Sequence, residues 1–438
     1  MIKIIKYIFS NHLYKSTIVY TAGDCIGKAI PFILLPIVTR YLSASDYGVL
    51  TNFSVIIQIF VAFCALNTYS MLSVSYFKLD SESLSRFLSN LTYLITSLAL
   101  LCLLVSMFFS NTIYRYSDIS MFWQVMALLS AFSTAVFSLY TSLLRMQNRV
   151  YMFNGLQIFQ ALLSGVLAIL FVVVLRWNWQ GRALSIVMAA AISMLLILYL
   201  MIKSGHLFQK NNIDEIKSAL FFGLPLLPHT LSFWFKSGVD KIILTNYISL
   251  AANGVYSIAF TFACIVGILT GSFFNAYTPL MFKDLSMIDT MQDDKAIVIK
   301  QKLVRNTYYF AGGLLAVCIG SYFALKIAIP LLFTGEYLGA IRFMPFLLTT
   351  LYFEGMYSMI SGYIFYRKKT KMLGTITFSS SMLQIGITLL FVKHFGIMGA
   401  AYSSSLVAGI TFIAVLSYTN KLYKLPWGLG KHAPVAIT

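Results

Sequence analysis

Charge is scarce in this chain, and negative charge is the scarcer sign: of 438 residues, 14 are Asp or Glu and 32 are Lys or Arg, and charged residues make up 11% of the total. With 59% hydrophobic residues and a mean hydropathy of +0.81, there is too little polar surface to clothe a water-soluble globule, so the bilayer is the expected solvent. Cysteine is sparse as well. Cys25, Cys64, Cys102, Cys264 and Cys318 all fall within apolar runs with no paired spacing, which argues against a disulfide framework or a thiolate metal centre. The sequence has no Gly-rich phosphate loop, no nucleophile elbow and no zinc spacing. The chain therefore does not read as an enzyme, and neither a metal nor a cofactor is expected. The longest connection, Lys283 to Lys302, is too short for a nucleotide-hydrolysing domain, which leaves ion gradients or membrane voltage as the driving force.

Long apolar windows dominate instead. Stretches near the roughly 20 residues needed to cross a bilayer occur around 18–40, 48–72, 88–110, 120–143, 151–175 and 182–202, and again around 219–247, 253–281, 305–333, 340–366, 372–393 and 398–420. This predicts an all-α integral membrane protein of 12 transmembrane helices. Ahead of them, MIKIIKYIFSNHLYKS places Ile2, Ile5, Phe9 and Leu13 on one helical face, the pattern of an interfacial helix. It lacks the apolar region and cleavage site of a secretory signal, so the first spanning helix is the expected membrane-targeting element.

Basic residues cluster in alternate connections. One side holds Lys3, Lys6 and Lys15, then Lys78 and Arg86, Arg145 and Arg149, Lys203, Lys210 and Lys217, and larger groups around 283–305, 367–371 and 421–431. The other side holds only Arg40, Arg115, Arg176, Arg182, Arg342 and Lys393. The positive-inside rule then places both termini in the cytoplasm. The formal charge of +18 reads as an orientation signal, and nucleic acid is not needed as a partner.

The two halves are related. A shift of 206 residues aligns IVTRYLSASDYGV (Ile37 to Val49) with ILTNYISLAANGV (Ile243 to Val255), matching Ile37/Ile243, Thr39/Thr245, Tyr41/Tyr247, Ser43/Ser249, Gly48/Gly254 and Val49/Val255. A repeat near half the chain length predicts one structural unit used twice, with a site between the copies. The expected division is a six-helix bundle over 1–203, a cytoplasmic linker over 204–217, a second six-helix bundle over 218–421 and a cytoplasmic tail over 422–438. Pro31, Pro36 and the SASDYG turn read as the frame that bends the first helix and hands it to the second.

Ionisable residues inside the windows mark candidate functional positions, because each costs about 2.5 to 3.5 kcal/mol or more at the bilayer centre and normally faces protein or a hydrated cavity. Asp24 and Lys28 lie four apart in the first helix, and Lys236 and Asp240 lie four apart in the seventh, followed by Lys241. Two readings are open for these pairs: neutralisation along one helix face, or the lining of a shared cationic cavity. Lys28 is the leading candidate, being too far from either helix end to snorkel easily. Lys241 fits lining and snorkelling equally. Lys326 reads as an interface residue, and Glu354 beside Gly355 fits a buried structural hydrogen bond or proton handling. His229 follows LPLLP, where Pro225 and Pro228 loosen the start of the seventh helix, and reads as a packed histidine.

These stretches resemble a known family. PFILLPIVTRYLSASDYGVL, from Pro31, is similar to the N-terminal signature of Wzx-type polysaccharide flippases, which belong to the multidrug/oligosaccharidyl-lipid/polysaccharide exporter superfamily. GLPLLPHTLSFWFKSGVDKIILTNYISLAANGVYSIAFTFA resembles their seventh-helix region. WQGRALSIV (Trp179 to Val187) and FGIMGAAYSSSL (Phe395 to Leu406) are a further matched pair. Asn246 stands at the repeat position of Arg40, and lysine follows Asp240 where the family often has arginine, which removes a bidentate phosphate contact.

The resemblance implies two pseudo-symmetric six-helix bundles, arranged as in the MATE exporters, that open alternately to each side of a bacterial inner membrane. It implies an undecaprenyl-pyrophosphate-linked oligosaccharide as substrate, of the O-antigen repeat-unit type, moved from the cytoplasmic to the periplasmic leaflet. Substrate-binding roles fall on Lys28, Lys236, Lys241, Asp24 and Asp240. Coupling to a proton or sodium ion falls on Asp24 or Glu354, and polysaccharide polymerase machinery is a possible partner. The alternatives are a cation-coupled multidrug exporter of the same architecture and a membrane polysaccharide polymerase or ligase.

Overall fold

The computed structural model describes residues 12–427 apart from 291–292 and 368, with the backbone alone at 12–22, 24, 25, 28, 229, 233, 237, 275, 276, 290, 293–295 and 370. Of the interfacial pattern at the N-terminus, residues 1–11 lie outside the described residues. Apolar windows become helices because hydrocarbon offers no partner to a backbone N–H or C=O, so each segment must pair its own. The chain runs through α1 (His12–Thr39), α2 (Ala44–Ala65), α3 (Thr68–Ser75), α4 (Ser81–Phe108), α5 (Ser110–Ser117), α6 (Met121–Met146), α7 (Val150–Ala168, continued as a π-helix over Ile169–Val174) and α8 (Asn178–Lys203). It continues through α9 (Ile213–Gly223), α10 (Leu227–Tyr247), α11 (Leu250–Thr290), α12 (Asp293–Leu332), α13 (Met344–Tyr366), α14 (Thr370–Phe395) and α15 (Met398–Leu422). Among the described residues, 10 helical stretches are long and apolar enough to cross a membrane. Two more helices, α1 and α13, have 28 and 23 residues. Each of the predicted windows thus holds a helix of spanning length, and the fold is an all-α membrane fold.

Two residue types matched by the internal repeat do the same work in both copies. Ser43 Oγ accepts the Asp46 N–H at 3.1 Å, and the Asp46 carboxylate accepts the Ser43 N–H at 3.1 Å, a capping box that starts α2 where the sequence indicated a turn. Ser249 Oγ likewise accepts the N–H of Ala252 at 3.1 Å and starts α11. Such a cap stabilises a helix by about 1 kcal/mol.

Gly48 and Gly254 then let these two helices touch. A Cβ on Gly48 would overlap the carbonyl oxygen of Leu250, and one on Gly254 would overlap that of Ala44. Leu250 and Ala44 are themselves separated by the repeat shift, so the contact is reciprocal, as across a two-fold axis. Small residues allow close helix approach of this kind in membranes, where packing rather than a hydrophobic force holds helices together. Beside the crossing, the Asn253 side-chain amide donates to Gly48 O at 3.2 Å, Asn52 Oδ1 at 2.9 Å and Thr245 Oγ1 at 3.0 Å, with Asn52 and Asn253 fully buried and Thr245 partly so.

The second predicted window is broken. Leu66 and Asn67 adopt φ values of 39° and 55°, which interrupt the run between α2 and α3. Left-handed conformations at non-glycine residues cost about 1–3 kcal/mol each. The Asn67 side chain offsets part of this by donating to Thr230 Oγ1 at 3.1 Å and accepting from the Tyr69 hydroxyl at 3.2 Å. The longest predicted connection is also different: α11 and α12 extend through most of Lys283–Lys302 as helix. Charged residues hold these extensions, with Lys302 on Asp284 at 2.8 Å and Arg367 on Asp289 at 3.1 Å.

The chain packs as two units. One reaches from the start of the described chain to Ser257 and takes in Leu332–Leu338; the other comprises Ile258–Leu331 and the chain from Gly339 onward. Thus α9, α10 and the first turns of α11 pack with the first unit. Its core runs through Phe53, Leu72, Leu88, Leu91, Ile95, Leu139 and Leu143. The second unit has its own core around Leu285, Leu303, Ile360, Tyr363 and Val415.

Residues 204–217 are docked along α4. The Ser85 hydroxyl meets His206 Nδ1 at 2.9 Å, Ser89 Oγ accepts the Gln209 N–H at 3.2 Å, and Asn90 Oδ1 accepts the Asn212 N–H at 3.1 Å. Glu215 takes Arg86 at 3.0 Å and the Asn90 amide at 2.7 Å. Burial, together with repulsion from Arg149, pushes the His206 pKa below its ordinary value near 6.5. The docked form therefore favours neutral imidazole. The stability that His206 contributes is intact above about pH 6.5 and is lost as pH falls below that value toward the docked pKa. Hydrogen exchange, corrected for its intrinsic pH dependence, is expected to show weaker protection of 204–215 at pH 5.5 than at 7.5. In a His206→Asn protein that difference should shrink; an unchanged difference would assign it to another group.

Candidate functional site

The seventh predicted window supplies three of the charged candidates that the structure describes, Lys236, Asp240 and Lys241. Gly223, Leu224, Pro225 and Leu226 form a tight 3-10 turn, and Pro228 in the first turn of α10 leaves no N–H unsatisfied there. Along α10, Lys236 and Lys241 are partly buried and Asp240 is 1% exposed. Asp240 Oδ2 accepts the hydroxyl of Tyr256, itself fully buried in the first turns of α11, at 2.8 Å. A carboxylate is thus fixed inside the first unit by a hydrogen bond between consecutive helices, and Lys236 lies one turn below it on the same helix.

Glu354 belongs to the second unit, partly buried on α13, where its neighbour Gly355 faces Leu314 and Thr270. Lys326 is exposed on α12. The side chains of Asp24, Lys28 and His229 lie outside the described residues.

Sequence reasoning looked for charge and missed the neutral groups that shape the hollow next to α10. A cavity of about 370 Å³ is lined by Ile57, Gln58, Val61, Ala62, Ala65, Asn67, Tyr69, Thr134, Thr230 and Trp234. Each wall is held. Trp234 Nε1 donates to Val55 O at 3.1 Å, which fixes the indole across α2 and α10. Asn67, Tyr69 and Thr230 are joined by the bonds described above, and the Ser142 hydroxyl donates to Tyr69 O at 3.1 Å. The result is a hollow with two aromatic rings and several hydroxyl and amide groups, set among apolar helices. That combination suits a ligand with apolar ring faces and polar edges. The 206-residue shift also places Thr230 and Trp234 at the repeat positions of Asp24 and Lys28. The two charged pairs are therefore not register equivalents: what corresponds to the first pair is part of the cavity wall.

The architecture is an all-helical, MATE-like fold. A multidrug resistance MATE family transporter of the MOP superfamily, in its inward-facing conformation, superposes with a TM-score of 0.72 at 14% identity, covering 90% of this chain and 94% of that one. The lipid II flippase MurJ, in an inward closed conformation, superposes with a TM-score of 0.70 at 16% identity, covering 92% and 87%. The chain belongs to the polysaccharide biosynthesis protein family, whose model matches residues 13–284. A protein of the Lsg locus of Haemophilus influenzae is 21% identical over 403 residues, covering 89% of this chain and 95% of its own.

Proposed function

We propose that the protein is a flippase that carries an undecaprenyl-pyrophosphate-linked oligosaccharide, of the O-antigen repeat-unit type, from the cytoplasmic to the periplasmic leaflet of a bacterial inner membrane. The observation that carries this reading is a hollow of aromatic, hydroxyl and amide groups inside an apolar helical unit, in a chain whose family is one of polysaccharide biosynthesis. The shared fold of MurJ, a flippase of lipid II, supports it.

The physical problem is desolvation. Sugar hydroxyls and a pyrophosphate cannot enter hydrocarbon unpaired without a cost of several kcal/mol per group. In this reading the polyprenyl tail stays in lipid while the head group passes through a polar, cationic path between two six-helix bundles by alternating access. Lys28, Lys236 and Lys241 act as point-charge partners for phosphate, with Asp24 and Asp240 setting their positions. With the cytoplasm negative, outward movement of an anion gains about 2.3 kcal/mol per charge per 100 mV. A proton or sodium ion exchanged through Asp24 or Glu354 adds to that drive. Both termini sit in the cytoplasm, and the product is handed to polysaccharide polymerase machinery.

Complementation tests this. In a strain that makes O-antigen but lacks its own flippase, the protein is expected to restore surface glycan without changing susceptibility to amphipathic cations. Absent glycan with the protein present in the membrane, or a gain in drug resistance alone, would reject it.

A further inference from the structure

A second cavity in the first unit, about 490 Å³, opens among α1, α2, α6, α7 and α8 and shares Ile57 and Thr134 with the cavity beside α10. Its described lining carries no charged side chain. What it carries is two hydrogen-bonding stripes: Ser130 and Thr134, one turn apart on α6, and Gln157, Gln160 and Ser164, at i, i+3 and i+7 on one face of α7. The helices account for little of this polarity. Thr134 Oγ1 donates to Ser130 O at 2.8 Å, but among the described residues the amides of Gln157 and Gln160 have no hydrogen-bond partner. Primary amides left unpaired inside a membrane bundle are costly unless the space beside them holds water or a polar ligand.

Arg182 prepares a third group. Although the sequence placed it in an outer turn, it lies within α8 and donates from Nη1 to Ser164 Oγ at 3.0 Å, to Ser164 O at 3.4 Å and to Ser185 Oγ at 3.0 Å. With its oxygen occupied by the guanidinium, the Ser164 hydroxyl keeps its proton for the cavity. Arg182 thus acts as a positioning residue for Ser164.

Resting on the flippase reading, we infer that this cavity is the sugar-reading subsite, binding an uncharged, polyhydroxylated ring of the head group through Gln157, Gln160, Thr134 and Ser164, while the lysines serve the pyrophosphate. The chemistry favours a neutral sugar. Each amide both donates and accepts, as each sugar hydroxyl does, and the one described cation beside the cavity, Arg182, is engaged by Ser164 and Ser185. The volume falls within the range of pockets that enclose small ligands.

The test uses the full-length protein in detergent and two probes, a short-chain polyprenyl pyrophosphate and the same lipid carrying one N-acetylhexosamine. In wild type the sugar is expected to raise affinity by about tenfold or more. In the near-isosteric Gln157→Met/Gln160→Met protein that increment should vanish, while affinity for the bare pyrophosphate lipid stays the same. Thr134→Val, a smaller change, should reduce the increment partway and guards against misfolding of the double variant. An increment equal in all three proteins, or none in wild type, overturns the subsite but leaves the flippase reading standing. Failure of wild type to bind either probe overturns both.

Discussion

Gly48→Leu is expected to abolish accumulation of folded protein, and Gly48→Ala to lower its stability by about 1–3 kcal/mol, the usual cost of overpacking a tight contact. The first side-chain carbon at position 48 would enter the space of the Leu250 carbonyl oxygen, which is backbone and cannot rotate away. To admit it, α2 and α11 must separate. That would also break the Asn253 bonds to Gly48 O and Asn52, leaving buried amides unpaired. Because the contact is reciprocal, Gly254→Ala should cost a similar amount. The double variant should cost less than the sum, since either change alone already parts the helices. Gly271→Ala is the control: nothing lies within 4 Å of the added carbon, so loss of backbone freedom in the unfolded chain makes it neutral or slightly stabilising. Thermal unfolding followed by size-exclusion chromatography in detergent reads the four alanine proteins, and the yield of folded protein reads Gly48→Leu. If Gly48→Ala is as stable as Gly271→Ala, the close crossing is not present in solution.

Lys28→Ala is expected to remove surface glycan while leaving protein level and membrane insertion intact, with Lys28→Arg partly active because the point charge is kept while the geometry changes. Lys236→Ala should act in the same direction. A charged hydrogen bond contributes about 1.5–3 kcal/mol, which corresponds to roughly a 10- to 100-fold loss in affinity for the pyrophosphate lipid. Lys326→Ala, on an exposed face of α12, should leave glycan unchanged. Normal glycan from Lys28→Ala at wild-type protein level would remove Lys28 from the path, and an equal loss from Lys326→Ala would show that general charge matters more than position.

The helices were legible because hydrocarbon allows few alternatives: a run such as Asn178–Lys203 or Met398–Leu422 can only be helical in lipid. The repeat was legible as a pattern but not as a mechanism. Ser43 and Ser249 match because each caps a helix, and Gly48 and Gly254 match because each admits the other helix; pattern alone could not say that the two copies pack on one another. Breaks inside windows were hidden. Leu66 and Asn67 carry no proline or glycine signal, and their left-handed turn is supported from elsewhere, by Thr230 and Tyr69.

The candidate site was read through charge, which picks out Lys236 and Asp240 but passes over Trp234, Tyr69, Gln157 and Gln160. Neutral polar residues stand out only when two helices bring them to one hollow, and that needs tertiary structure. A search for hydroxyl and amide residues at helical spacing within apolar windows would have found the Gln157, Gln160, Ser164 stripe. Arg182 was missed because the sixth window was drawn to begin at that residue, whereas α8 begins at Asn178.

The most direct measurement is translocation itself. The purified protein is reconstituted into liposomes carrying a fluorescent polyprenyl-pyrophosphate-linked oligosaccharide, and the fraction of label that becomes accessible to an added membrane-impermeant quencher is followed with time. The account predicts transbilayer movement that is faster with wild type than in protein-free liposomes, faster with an interior-negative potential where the lipid leaves the negative side, and lost with Lys28→Ala. Movement no faster than in protein-free liposomes, or export of an amphipathic cation in its place, would contradict it.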